Sequence, residues 1–102
     1  KEKSSGLKPT ELYNPMYQIQ KENLGSYNYR GNWNMLDQII LSQSMLNKNS
    51  LHYQLNSATI FSPEWLKQHG KYEGNPLRTF GGKKYLGGYS DHFPVYITLS
   101  VK

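Results

Sequence analysis

An acid and an imidazole stand side by side near the end of the sequence, in Asp91 and His92. A Gly-Gly pair leads into this region, and Pro94 follows it just before a strand-like alternation of apolar residues. That order predicts a position at the mouth of a sheet, where a loop meets solvent. Histidine is the side chain best suited to proton transfer near neutral pH, and it needs a second group, usually a carboxylate, to fix its tautomer. The pair is therefore a candidate for acid–base chemistry, and a turn with its polar groups satisfied is the alternative.

The only other aspartate, Asp37, lies inside an apolar run over residues 35–42. Such a run predicts a strand that is covered on both faces. A carboxylate inside that strand is costly to bury without a partner, and a neighbouring strand at residues 95–101 would bring it to His92. The pattern indicates a buried acid that orients a catalytic base. Asp91 faces the other way, because neighbours on an extended chain alternate, and is available to help hold a divalent cation.

Short elements must position these groups. In the first half, residues 10–13 predict a short helix that ends before Pro15, since the residue before a proline avoids the helical region. Residues 25–31 alternate polar and aromatic side chains between two glycines and predict a short strand that runs into a loop. Residues 43–57 predict a loop with a short helical turn.

The second half begins with residues 58–61, which predict a short buried strand. The Ser-Pro-Glu sequence at 62–64 has the cap, the proline and the acid typical of a helix start, and Gly70 would end that helix. Residues 70–89 hold six glycines and predict a long irregular segment. The clean alternation over residues 95–101 predicts a half-buried strand. This order of elements favours an α+β layered sheet in a single unit over residues 1–102.

Composition excludes several classes of protein. The chain is 36% hydrophobic with a mean hydropathy of −0.77, so it can bury only a modest core, but its 14% aromatic content argues against disorder. No apolar run approaches the roughly 20 residues of a membrane span. The absence of cysteine excludes disulfide frameworks, thiolate zinc sites and thiol catalysis. A net charge of +5 favours anionic partners, phosphates included.

The motif Ser90-Asp91-His92-x-Pro94-Val95 resembles the C-terminal signature of the endonuclease/exonuclease/phosphatase family. The sequence around Asp37 resembles the strand of that family that bears an aspartate and precedes this signature. Pro76-Leu77-Arg78-Thr79-Phe80 and the glycines that follow are similar to bacterial members of the family. The resemblance covers about residues 12–101.

The resemblance implies a fold and a reaction. The family folds as a four-layered α/β/β/α sandwich with mostly antiparallel sheets, and it hydrolyses phosphodiesters or phosphomonoesters with Mg²⁺ or Mn²⁺. It implies that His92 acts as a base or contacts the scissile phosphate, that Asp37 is its carboxylate partner, and that Asp91 lies near the metal. A hard cation would offset charge on the phosphoryl oxygens while an oriented base activates water.

The same resemblance implies the residues that contact substrate. The loop that approaches the Asp37 strand lies near the substrate in this family, which makes Tyr29, Arg30 and Trp33 candidates. Arg30 could clamp a phosphate and an aromatic ring could stack on a base or a sugar. Arg78, in the glycine-rich segment, is a further candidate for a phosphate contact. Surface tyrosines with a packed tryptophan, and an arginine that braces its own loop, are the alternatives.

One departure from the family pattern concerns the metal. The metal-binding glutamate and the Gly-Asp-x-Asn element of the family belong to its N-terminal half, and no aspartate precedes Asp37 here. We therefore expect a C-terminal half of the sandwich, taken from a longer protein, with an incomplete metal site and weak or no activity by itself. Its localisation is left open, because any targeting signal would lie upstream of Lys1.

These expectations define the partners. The substrate is a phosphate ester, with nucleic acid as one candidate, and no membrane span is expected. Half a sandwich exposes one sheet face, which the missing N-terminal half or a second copy of the chain would cover. The alternative function is a non-catalytic basic module that binds phosphate-containing ligands or nucleic acid.

Overall fold

The computed structural model describes residues 6–101. Its secondary structure consists of short elements, and no helix among the described residues is long and apolar enough to cross a membrane. In chain order the elements are β1 (Leu12–Tyr13), α1 (Tyr17–Lys21), β2 (Tyr27–Tyr29), β3 (Asn32–Asn34), β4 (Leu41–Ser42), a 3₁₀ turn (Gln43–Leu46), β5 (His52–Tyr53), β6 (Thr59–Ile60), a second 3₁₀ turn (Glu64–Leu66), β7 (Phe80–Gly81), β8 (Lys84–Tyr85), β9 (Val95–Tyr96) and β10 (Leu99–Ser100).

The strands pair in antiparallel ladders of two. Strands β2 with β3 and β7 with β8 form local hairpins, whereas β1 pairs with β4, β5 with β10 and β6 with β9 across long stretches of chain. The fold is therefore a small, sheet-rich α+β arrangement with mostly antiparallel strands, as predicted.

The β2–β3 hairpin was only half predicted. The strand at Tyr27–Tyr29 is confirmed, but the return strand at Asn32–Asn34 was not expected. A two-residue turn joins them, with φ of 51° at Arg30 and 86° at Gly31. Two left-handed residues are what the tightest hairpin turns require. An arginine at the first turn position hides this signal, because asparagine and glycine are the residues that usually mark it.

The run over residues 35–42 was predicted to be one strand covered on both faces, and most of it is not. Only β4 at its end is paired. The Ser26 hydroxyl, rather than a neighbouring strand, accepts the backbone N–H of Asp37 at 3.3 Å. Met35 and Leu41 are buried, but the alternate side chains Leu36 and Ile40 are 54% and 51% exposed. The run is covered on one face and open on the other.

Three shorter elements also differ from prediction. The helix expected at residues 10–13 is the strand β1, and the helix begins after Pro15 instead, where Asn14 Oδ1 accepts the backbone N–H of Met16 at 2.9 Å. The helix expected to start at residues 62–64 is a single 3₁₀ turn. The last strand is divided between β9 and β10, because these two pieces pair with different strands.

The apolar core is thin. One cluster is built on Tyr13, Leu41 and Tyr53, with the two tyrosine rings 6.0 Å apart. The radius of gyration is 16.3 Å, against about 13 Å for a compact domain of roughly 100 residues. Many large apolar side chains remain exposed, among them Leu12, Leu24, Leu36, Ile40, Phe61 and Trp65. The described residues thus present an apolar surface that they do not cover themselves.

Gly25 marks a close approach of two backbone segments. A Cβ added there would lie 2.5 Å from the backbone oxygen of Asn34, which accepts the N–H of Ser26 at 3.0 Å. We expect Gly25→Ala to lower the free energy of unfolding by about 1–3 kcal/mol, because backbone atoms cannot move aside. Urea denaturation followed by tryptophan fluorescence measures the loss.

Gly81→Ala is the matched control for this substitution. Its added Cβ would meet only the flexible side chain of Leu86, at 3.0 Å. A loss for Gly25→Ala no larger than that for Gly81→Ala would contradict the steric argument.

Candidate functional site

The site is built around an aspartate and a histidine 55 residues apart in the chain. Oδ2 of Asp37 lies 2.6 Å from Nδ1 of His92. A carboxylate can only accept, so Nδ1 carries the proton and the opposite ring nitrogen, Nε2, is left as a proton acceptor. About one third of each side chain is exposed, which leaves the imidazole accessible to a small ligand. The structure thus brings together the two residues that were predicted to form the catalytic pair.

Ser26 joins the segments that carry this pair. Its side chain is fully buried, and its Oγ donates to Oδ2 of Asp37 at 2.6 Å. Its backbone oxygen accepts the N–H of Phe93, the residue after His92, at 2.8 Å. The serine therefore fixes the aspartate through its hydroxyl and the histidine segment through its backbone.

Sequence reasoning missed this serine. A single serine beside a glycine carries no periodicity and belongs to no motif that requires it. The one available signal is its place at the start of a predicted strand, where a buried hydroxyl must find a partner.

Hydrogen bonding sets the charge of Asp37. Partial burial raises the pKa of its carboxyl, but the hydrogen bonds from Ser26 and His92 and the charge of His92 lower it, and the net pKa lies below the ordinary 3.8. Hydrogen bonds to the ionised form are the cause. Asp37 is therefore a carboxylate at neutral pH and a fixed acceptor for His92.

Asp91 lies on the side of the His92 ring opposite Asp37, near Nε2. Oγ of Ser90 accepts the backbone N–H of His92 at 3.0 Å, so the segment is a turn and not the extended chain whose neighbours alternate, and the prediction that Asp91 faces away from His92 was wrong. Oδ1 of Asp91 lies 3.9 Å from Nε2 of His92, and Asp91 lines a cleft of about 350 Å³ together with Arg78. Asp91 is placed beside the reactive ring nitrogen, and its role toward a metal stays a prediction.

Three of the four predicted substrate contacts meet in one cleft. Tyr29 and Arg30 line it from the β2–β3 hairpin, and Arg78 lines it from the glycine-rich segment; its volume is about 690 Å³. Trp33 lies elsewhere: its ring stacks on Phe93 at 6.0 Å and borders a different cleft. The roles of all four residues toward substrate stay predictions.

Residues 1–101 match the model of the endonuclease/exonuclease/phosphatase family. The chain belongs to this family. Its members are generally hydrolases that act on phosphoester bonds, and they typically depend on a divalent metal. The comparison confirms the predicted resemblance to this family. No curated protein and no solved structure matches the chain.

The described residues do not fit a complete metal site. Between residues 6 and 101 there is no group of three or more histidine, aspartate or glutamate side chains that could hold an ion. Oδ2 of Asp37 is already an acceptor for Ser26 and His92. Mg²⁺ requires near-octahedral oxygen ligands, and Asp91 by itself offers one carboxylate.

Ser26→Ala tests the hydrogen-bond account of the Asp37 charge. Removing the hydroxyl removes a donor that lowers the pKa of Asp37, so we expect that pKa to rise. Titration of the Asp37 carboxyl carbon by ¹³C NMR measures the shift.

Ser44→Ala is the control for this titration, because its exposed hydroxyl bonds Ser42 and lies outside the pair. We expect it to leave the Asp37 pKa where it is. An unchanged or lower Asp37 pKa in Ser26→Ala would show that the serine does not set the charge.

Proposed function

We propose that this chain carries the acid–base pair of a metal-dependent phosphoesterase. The observation that supports this most directly is the 2.6 Å contact between Asp37 and His92. It occurs in a chain whose family generally hydrolyses phosphoester bonds. A histidine with one nitrogen held by an ionised carboxylate and the other without a hydrogen bond to any described residue is suited to activating water.

In the proposed reaction, Nε2 of His92 accepts a proton from the attacking water. The water oxygen forms the new bond to phosphorus as the bond to the ester oxygen breaks. The displaced oxygen takes up a proton from solvent, and Nε2 of His92 afterwards returns its proton to solvent. Asp37 stays ionised throughout, keeps the proton on Nδ1 and stabilises the imidazolium that forms. Ser26 holds the carboxylate in place.

The proposed cofactor is Mg²⁺ or Mn²⁺, which would offset charge on the phosphoryl oxygens. Asp91 is the residue of this chain proposed to bind it. The remaining acidic ligands are proposed to come from polypeptide other than residues 6–101, because those residues hold no such group. The chain by itself would then be weakly active or inactive.

The uncovered apolar surface supports the same proposal. Leu36 and Ile40 alternate with Asp37 on a segment whose other face is packed, so a layer placed on them would lie next to the site. We propose that this layer is the other half of a four-layered α/β/β/α sandwich, with residues 1–102 as its C-terminal half. That other half would then both cover the exposed apolar side chains and supply the missing metal ligands.

Hydrolysis of bis(p-nitrophenyl) phosphate by the full natural gene product, with Mg²⁺ or Mn²⁺ present, tests the function. We expect His92→Ala to lower kcat by about 100-fold or more, since a general base contributes that much. The same measurement on Asp37→Asn should show a smaller loss, because the ring keeps its place but not its charged partner.

The chain offers a matched control in a second histidine–carboxylate pair. Nδ1 of His69 lies 2.9 Å from Glu73 on an exposed turn outside the site. His69→Ala should leave kcat unchanged. Hydrolysis that survives His92→Ala would contradict the role of His92 as the base, and phosphate-ester binding without any hydrolysis would favour the non-catalytic binding module.

Manganese binding tests whether the metal ligands lie outside this chain. We expect the 102-residue polypeptide to bind Mn²⁺ only weakly, with a Kd above the millimolar range, and Asp91→Asn to weaken it further. Paramagnetic broadening of the His92 ring signals reports the binding. A site with micromolar affinity in the isolated chain would contradict the proposal of outside ligands, and tight self-association would identify a second copy as the covering layer.

A further inference from the structure

Among the described residues, a single hydrogen bond reaches the imidazole of His92. It joins Nδ1 to Oδ2 of Asp37 and fixes the position of that nitrogen, but the ring can still tilt about it. Such a tilt displaces Nε2, the nitrogen that acts as the base in the proposed reaction. Asp91 does not prevent the tilt, because its Oδ1 lies 3.9 Å from Nε2, beyond hydrogen-bond distance. A second contact on the ring is needed to direct Nε2 toward one place.

Tyr27 supplies a second contact, on the ring itself. Its ring centre lies 5.0 Å from that of His92, and the two ring planes are tilted by 44°. This separation lies within the roughly 4.5–7 Å at which aromatic rings attract one another. Because the contact joins two rings, it limits how far the imidazole can tilt, and it does not require the tyrosine hydroxyl.

The β2–β3 hairpin holds the segment that carries His92 from both of its faces. Tyr27 and Trp33 belong to neighbouring cross-strand pairs of this hairpin, so they lie on opposite faces. The ring of Tyr27 contacts His92, and the ring of Trp33 stacks on that of Phe93 at 6.0 Å. Two consecutive residues of the segment are therefore each held by one aromatic ring of the hairpin.

The backbone fixes the same junction. Ser26, the residue before Tyr27, accepts the N–H of Phe93, the residue after His92, through its backbone oxygen at 2.8 Å. Phe93 is buried, so this bond is shielded from water. Tyr27 and His92 each lie one residue from a fixed point, which leaves little freedom for the two rings to separate.

We propose that Tyr27 is a positioning residue for the proposed reaction: its ring restrains the imidazole of His92, so that Nε2 points to the place of the attacking water. This inference rests on the proposed function for the role of Nε2. The tyrosine acts through the histidine and needs no contact with substrate. Misplacing a reacting group by about 1 Å can lower a rate by roughly 100-fold, so loss of the restraint has a measurable effect on kcat.

Hydrolysis of bis(p-nitrophenyl) phosphate by the full natural gene product, with Mg²⁺ or Mn²⁺ present, tests the positioning role. We expect Tyr27→Leu to lower kcat about tenfold and to leave KM within about twofold, because the change affects the base and not substrate binding. Tyr27→Phe keeps the ring and should keep kcat. In the His92→Ala background, Tyr27→Leu should cause no further loss, since residues that act through one another are not additive.

Tyr17→Leu is the matched control. Its ring is exposed on helix α1 and lies 5.6 Å from Nζ of Lys21, away from the histidine. We expect it to leave both kcat and KM unchanged. Tyr27→Val provides a second variant without the ring should Tyr27→Leu not fold, because a β-branched residue suits a strand.

Proton NMR of the histidine rings gives a readout that does not depend on turnover. An aromatic ring shifts the resonances of nuclei beside it, so Tyr27→Leu should move the Hε1 and Hδ2 signals of His92. Tyr27→Phe should leave these signals close to their positions in the unmodified protein. Their loss in His92→Ala identifies them.

Several results would overturn the inference. Unmoved His92 signals in Tyr27→Leu would show that the two rings are not in contact, and a raised KM at unchanged kcat would make Tyr27 a substrate contact instead. A Tyr27→Phe variant as impaired as Tyr27→Leu would assign the effect to the hydroxyl.

The positioning role and the proposed function fail in different ways. If His92→Ala lowers kcat and Tyr27→Leu lowers it equally with or without His92, the proposed function stands and the positioning role is overturned. If His92→Ala leaves kcat unchanged, the proposed function fails, and the positioning role fails with it even where NMR shows the ring contact.

Discussion

The hydroxyl of Ser26 is fully buried, so water cannot replace the bond it donates to Asp37. That bond and the serine's backbone contacts join three segments: the start of the β2–β3 hairpin, the extended run around Asp37, and the turn that ends at Phe93. The geometry of His92 depends on all three being held at once. Gly25 belongs to the same constraint, since only a residue without a side chain lets the hairpin approach closely enough to place the serine.

The segment over residues 35–42 contributes both to the thin core and to the polar site. The run over residues 35–42 directs Met35 and Leu41 inward and Leu36 and Ile40 outward, with Asp37 on the packed side. Burying the outward side chains would exclude water from the neighbourhood of the pair and strengthen its electrostatics. Covering this surface would therefore affect both the stability of the fold and the chemistry of His92.

The sequence predicted the roles of rare residue types best, and it predicted least well which segments of the chain contact one another. The chain has only two aspartates, so few carboxylate partners for His92 had to be considered. The predicted contact between Asp37 and His92 is present. The length of the strand around Asp37 could not be predicted from the sequence. An apolar run indicates that its side chains are buried, but it does not show which element covers them or pairs with the backbone. Ser26 has no pattern of its own. The meeting of Arg30 and Arg78 depends on two loops folding toward each other, which local periodicity does not encode.

The order of synthesis limits when the contact between Asp37 and His92 can form. Strand β5 pairs with β10 and strand β6 pairs with β9, and Asp37 contacts His92. Each of these contacts closes a long loop of chain. Contacts of this kind form slowly, since chain entropy is lost before they contribute. Asp37 and Ser26 are synthesised well before the histidine that they orient. The acid–base pair therefore cannot form in a nascent chain until the segment that carries His92 has been synthesised and has packed against Ser26 and Asp37.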